Sequence, residues 1–123
     1  MSDKAPVLPE DINECLRKMI LLSEEIIKAC EGESNAVAMG WETEFLQATG
    51  TKQSYALLYQ KASKELLARG GEFAHADGVL ITRFKEVQRH LQAESRTNMT
   101  ILGPLVQKLQ DNNKPVAAAG AGQ

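Results

Sequence analysis

The feature that most constrains this chain is an apolar line running from Phe73 to Leu109. Phe73, Ala76, Leu80, Phe84, Val87, Leu91, Leu102, Leu105 and Leu109 recur along it, with Ile101 beside Leu102 and with Glu94 and Asn98 as its polar members. The spacing averages about 3.6 residues, the period of one face of an α-helix. A strict seven-residue repeat would drift around a straight helix, and this line does not. At about 1.5 Å per residue the rod would be roughly 55 Å long. A helix of that length cannot bury its own apolar face, so the remainder of the chain must supply partners of similar length.

Two further segments fit that requirement. Ile12, Leu16, Met19, Ile26, Cys30 and Val37 carry a stripe thickened by Ile20, Leu22 and Ile27, which predicts a first helix over 9–39. Pro9, Glu10 and Asp11 suit its start, because proline is tolerated in a first turn and acidic side chains complement the N-terminal dipole. Gly32 interrupts it at a cost of about 1 kcal/mol. Gly40 can then adopt a left-handed helix end, followed by a second helix over 42–69. Phe45, Ala48, Tyr55, Leu58, Tyr59, Ala62 and Leu66 form its stripe, and Thr49-Gly50-Thr51 predicts a break or a 3₁₀ turn in its first half.

Gly70-Gly71 marks the next boundary. The third helix is expected over 72–110, beginning near Glu72 or, alternatively, with Asp77 as N-cap and Gly78 behind it. Pro104 predicts a kink or a restart in its last third, since it removes a backbone donor and crowds the preceding turn. Residues 1–8 read as a flexible arm and 111–123 as a disordered tail, polar and then rich in Gly and Ala. No apolar-polar alternation indicates a strand. The expected fold is all-α: an elongated antiparallel three-helix bundle or coiled coil.

Composition narrows the function. With 14 basic and 16 acidic residues the net charge is −2, which gives no general attraction to nucleic acid or anionic lipid. The longest apolar run, Met19 to Leu22, is too short for a membrane span, and the N-terminus has no secretory pattern, so the protein reads as cytoplasmic. Cys15 and Cys30 lie on the first helical stripe and read as small buried thiols.

Catalytic and cofactor chemistry finds no matching pattern. Ala48-Thr-Gly-Thr-Lys-Gln-Ser54 lacks the glycine spacing and the preceding strand of a phosphate loop. His75 and His90 read as isolated histidines with no metal-ligand companions. Glu24, Glu25, Glu31 and Glu33 lack the Glu-x-x-His pairs of a di-metal bundle and read as a solvated face. No serine or cysteine is set on a turn against a base. The expectation is a non-enzyme without cofactor or metal.

What remains is the end of the third helix. Asn98 and Glu94 interrupt its apolar line, and a polar residue there can fix helix register. Ile81, Met99 and Val106 flank the same line and widen it between Asn98 and Leu109. Such a surface can receive another amphipathic helix, with methionine adapting to its shape.

Several residues also carry a resemblance. A first helix with Leu16, Leu21-Leu22 and Glu24, a short turn, Lys52-Gln53 in the second helix, and Glu94 and Asn98 ahead of an apolar end and a Gly/Ala/Gln-rich tail resemble the FlgN-type flagellar export chaperones. The resemblance implies a cytoplasmic chaperone of the flagellar type III export system. Its clients would be hook-filament junction proteins, bound through their C-terminal amphipathic helices and handed to the export apparatus. The matching partner-binding surface would be Asn98, Met99, Leu102, Leu105, Val106 and Leu109. The alternative is a structural or regulatory coiled coil acting through homo-oligomerisation.

Overall fold

The computed structural model describes residues 5–112, with side chains to position 104. Three long helices, α1 (Ile12–Met39), α2 (Glu42–Ala68) and α3 (Gly78–Asn112), form a helical bundle, with a 3₁₀ helix at Gly70–His75 between the last two. No strand occurs among the described residues.

The central element is α1 rather than the longer α3. Its buried residues, among them Cys15, Leu16, Met19, Leu22, Ile26, Ile27, Cys30 and Ala36, occupy a sector about 200° wide at 100° per residue. A sector that wide has room for two neighbours. Accordingly α1 packs along both α2 and α3, whereas α2 and α3 have little direct packing with each other. Two short connections reverse the chain twice, so α2 is antiparallel to both other helices while α1 and α3 run parallel. Each helix is thus antiparallel to its neighbour in sequence, the expected three-helix arrangement.

The core has two parts. Leu8, Ile12, Cys15, Met19, Leu22, Ala62 and Leu66 fill one, with Tyr55, Tyr59 and Phe73 packed against it. Ile20, Ile27 and Val87 form the other with Leu80 and Leu91, and Phe84 touches both.

Element boundaries follow local chemistry. Helix α1 begins at Ile12, later than the expected Pro9, because the Asp11 carboxylate accepts from the Glu14 N–H at 3.0 Å and caps the helix there. Gly40 ends it at φ 71°, a backbone region that favours glycine. Helix α2 runs unbroken through Thr49-Gly50-Thr51, where the local sequence predicts a break. Asp77 caps α3, its carboxylate accepting from the Val79 N–H, so Phe73 and Ala76 precede the helix instead of belonging to it. Both still pack on the core. Helix α3 continues past Pro104 without restarting.

The expected flexible arm is also corrected in its described part. The Val7 and Leu8 N–H groups donate to the two Glu65 carboxylate oxygens at 2.9 and 2.8 Å, and Leu8 is buried. Residues 1–4, and the expected disordered tail beyond Asn112, lie outside the described residues. No helix among the described residues is long and apolar enough to cross a membrane.

Candidate functional site

The upper half of the bundle is organised around Asn98, which is 4% exposed. Its Nδ2 donates to the Cys30 carbonyl at 3.1 Å and to Ser34 Oγ at 3.3 Å. Its Oδ1 accepts from Lys52 Nζ at 3.2 Å. Lys52 also donates to Glu33 Oε1 at 2.6 Å, and Thr49 Oγ1 donates to Glu33 Oε2 at 2.6 Å. One polar cluster thus joins all three helices.

Glu33 is 1% exposed, so the expectation of a solvated glutamate face fails at this position. The reason is tertiary: α2 lies over this side of α1, and its Lys52 and Thr49 compensate the carboxylate that a dry interior would otherwise exclude. The two helices run close here: a Cβ added at Gly32 would sit 3.4 Å from the Ala48 methyl, at van der Waals contact. A second polar tie lies lower in the bundle, where Tyr59 donates to Gln88 Oε1 and Gln88 Nε2 donates to buried Ser23 Oγ.

These contacts fix the parallel register of α3 on α1. Asp77 N–H donates to Asn13 Oδ1, and Asn98 reaches Ser34, each pair 64 positions apart. That offset sets Met39, the last residue of α1, level with about position 103. From Pro104 to Asn112 the α3 backbone therefore extends beyond the end of α1. Around this end Met39 is 60%, Trp41 51%, Met99 72% and Ile101 38% exposed.

The six residues expected to form a partner surface divide accordingly. Asn98 and Leu102 are buried within the chain, Asn98 against α1. Met99 is open. Leu105, Val106 and Leu109 belong to the projecting part of α3, and their side chains lie outside the described set. Sequence periodicity overlooks Met39 and Trp41 because Met39, the last residue of α1, lies off its apolar stripe and Trp41 sits in the α1–α2 turn.

Burial pushes the Cys15 and Cys30 thiols up from their ordinary range, opposed at Cys15 by the Arg69 guanidinium and at Cys30 by Lys52. Burial likewise raises Tyr59. Hydrogen bonding to Arg69 holds the Glu72 carboxyl low. An apolar cavity of about 330 Å³ sits toward the opposite end of the bundle, lined by Met19, Tyr59, Leu66, Phe73 and Phe84, with no titratable pair facing into it.

His90 is not isolated, as the sequence suggested. It lies one helical turn from Glu94, and α1 brings Glu31 beside both. The four-residue spacing of His90 and Glu94 was the signal available in the sequence.

No protein-family model matches this chain, and no curated protein or solved structure is detectably similar to it.

Proposed function

We propose that this protein is a chaperone of the flagellar type III export system that shields an amphipathic helix of its client. The observation that carries this reading is that four apolar side chains, Met39, Trp41, Met99 and Ile101, are exposed near the end where α1 stops and α3 continues, Met99 and Ile101 on opposite flanks of the buried line of α3. Two flexible methionines, one aromatic ring and a branched residue offer adaptable apolar contact, and apolar residues gathered on a surface mark interaction sites. A client helix laid across this end would bury side chains at i, i+3, i+4 and i+7. Binding would order the client and keep its adhesive face from self-assembly until handover to the export apparatus. No bond is made or broken.

The resemblance supplies the client class, the C-terminal helices of hook-filament junction proteins. The test is calorimetric titration of the full chain with a synthetic peptide of that class. The expected result is saturable binding with a negative heat-capacity change and a gain in peptide helicity. Met99→Glu combined with Ile101→Glu should weaken binding by roughly tenfold or more, since each 1.4 kcal/mol lost is a factor of ten. Unchanged binding by that variant, with the far-UV spectrum preserved, would refute the proposal.

Self-association through α2 is favoured by a separate observation. The outward side of α2 carries Leu46, Gln53, Leu57, Gln60 and Leu67, all exposed. An antiparallel second copy with its two-fold axis near Leu57 would set Leu46 against the partner's Leu67 and Gln53 against the partner's Gln60, the self-matching that an isologous interface requires. A specific interface of this kind needs on the order of 1,200 Å² of buried surface. Leu57→Cys should then form a disulfide with its own copy on oxidation. A chain that sediments as a monomer up to about 100 µM would exclude this dimer, which corresponds to a free energy near −5.5 kcal/mol.

A further inference from the structure

Glu31 on α1 and His90 and Glu94 on α3 each present one ligand atom, and the three atoms lie within 4.8 Å of one another. His90 and Glu94 are four residues apart and so share one face of α3. The 64-position register sets Glu31 level with about position 95, beside Glu94. The two backbones are held close on either side of this group: above it by Asn98 bonded to Cys30 and Ser34, and below it by Val87 packed with Ile27. The helices are thus fixed while the three side chains stay adjustable, His90 and Glu31 being exposed and Glu94 half-buried.

Glu14, Glu24, Glu25, Glu33 and Glu72 each have a basic partner in an ion pair, whereas Glu10, Glu42, Glu44, Glu65 and Glu86 are among the described glutamates that have none. Among the described residues Glu31 and Glu94 have none either, and what sets them apart is that α1 and α3 bring both within 4.8 Å of an imidazole nitrogen and of each other. A cation held by such a group draws its carboxylates together. An imidazole nitrogen with two carboxylate oxygens is a donor set for a borderline metal ion. Calcium would demand six to eight oxygens and magnesium a near-ideal octahedron of them.

We propose that Glu31, His90 and Glu94 bind a divalent first-row transition-metal ion of the Zn²⁺ type, clipping α1 to α3. Bonds of about 2.0–2.2 Å in tetrahedral geometry put ligand atoms about 3.4 Å apart. The three side chains must therefore close by about 1.4 Å from their outermost separation, which rotation of the exposed Glu31 carboxylate and His90 ring toward half-buried Glu94 accommodates. Water fills the fourth position. The site does not depend on client binding and stands or falls separately from it.

The test is titration of the full chain with ZnCl₂ in chelator-free buffer, followed calorimetrically, with Co²⁺ as a spectroscopic substitute. One equivalent should bind, and Zn²⁺ should raise the melting temperature. His90→Ala and Glu31→Gln should each weaken binding by roughly tenfold or more. His75→Ala, which alters the other histidine, should leave it unchanged. Bound Co²⁺ should show visible d–d bands without the intense near-ultraviolet band of a cobalt–thiolate bond. The three substituted residues are exposed, and far-UV spectra of the variants establish that they are folded. The proposal is overturned by no saturable binding up to about 1 mM, a limit near −4 kcal/mol. Equal affinity in His90→Ala, or a thiolate band placing the metal on Cys15 or Cys30, would overturn it as well.

Discussion

Replacing Lys52 with methionine keeps most of the side-chain stem and removes the ammonium group that joins Glu33 to Asn98. Glu33, at 1% exposure, would then be stabilised only by the Thr49 hydroxyl, and Asn98 Oδ1 would lose its donor. Breaking a buried pair by removing one partner costs about 3–5 kcal/mol. The Lys52 side chain is 28% exposed, which lets water reach the gap and lowers the expected loss to about 2–3 kcal/mol. In a domain of this size that corresponds to a fall in melting temperature of about 8–12 °C. Urea unfolding monitored by circular dichroism measures it, with an unchanged denaturant slope showing that the unfolded reference is preserved. Adding Glu33→Met should recover about 1–2 kcal/mol, because a matched apolar replacement removes the stranded charge. A loss below about 1 kcal/mol for Lys52→Met, the value of an exposed pair, would refute the reasoning. Strict additivity of the two substitutions would refute it too.

Gly50 is helical and does not require positive φ, and a methyl group added there would meet nothing within 4 Å, so Gly50→Ala should stabilise by about 0.5–1 kcal/mol in the same unfolding assay. Glu65→Ala should free the Val7 and Leu8 amides, costing about 1–2 kcal/mol and accelerating hydrogen exchange at Leu8; unchanged exchange there would show that Glu65 does not hold the segment. The Glu72 carboxyl is held below its ordinary value of 4.5 by Arg69, so its contribution is complete above that pH and is lost as pH falls through the lowered value. The buried Cys15 and Cys30 thiols are raised above 9.0, so their contribution is complete below pH 9 and lost as pH rises further. Melting temperature against pH should therefore fall at both limits, and a flat profile from pH 9 to 11 would contradict the alkaline part.

The helical character of the chain and most of its punctuation were legible in the residues themselves. The apolar spacing from Ile12 to Val37 and from Leu80 to Leu102 belongs to single helices, Gly40 takes the left-handed end, and Asp77 appears as a capping option before α3. These features are local, because backbone dihedral preference and a 3.6-residue period are properties of one segment. Thr49-Gly50-Thr51 shows the limit of such reasoning. Its weak propensity does not break α2, since Thr49 and Lys52 gain Glu33 as a partner from α1.

The candidate site was legible only in part. The apolar end of α3 could be read from its stripe, but its residues could not be sorted into those facing α1 and those facing solvent. Periodicity says which side of a helix is apolar and not what lies against it. That assignment came from the register of α3 on α1, which buries Asn98 and Leu102 and leaves Met99 open. The same register turned Glu33 from an expected surface charge into an interior one and brought Glu31 to His90 and Glu94. The sequence by itself determined three amphipathic helices and where they turn. Only the packing of distant segments decided that α1 is the centre and which polar groups share an environment, because burial and proximity depend on contacts between residues dozens of positions apart.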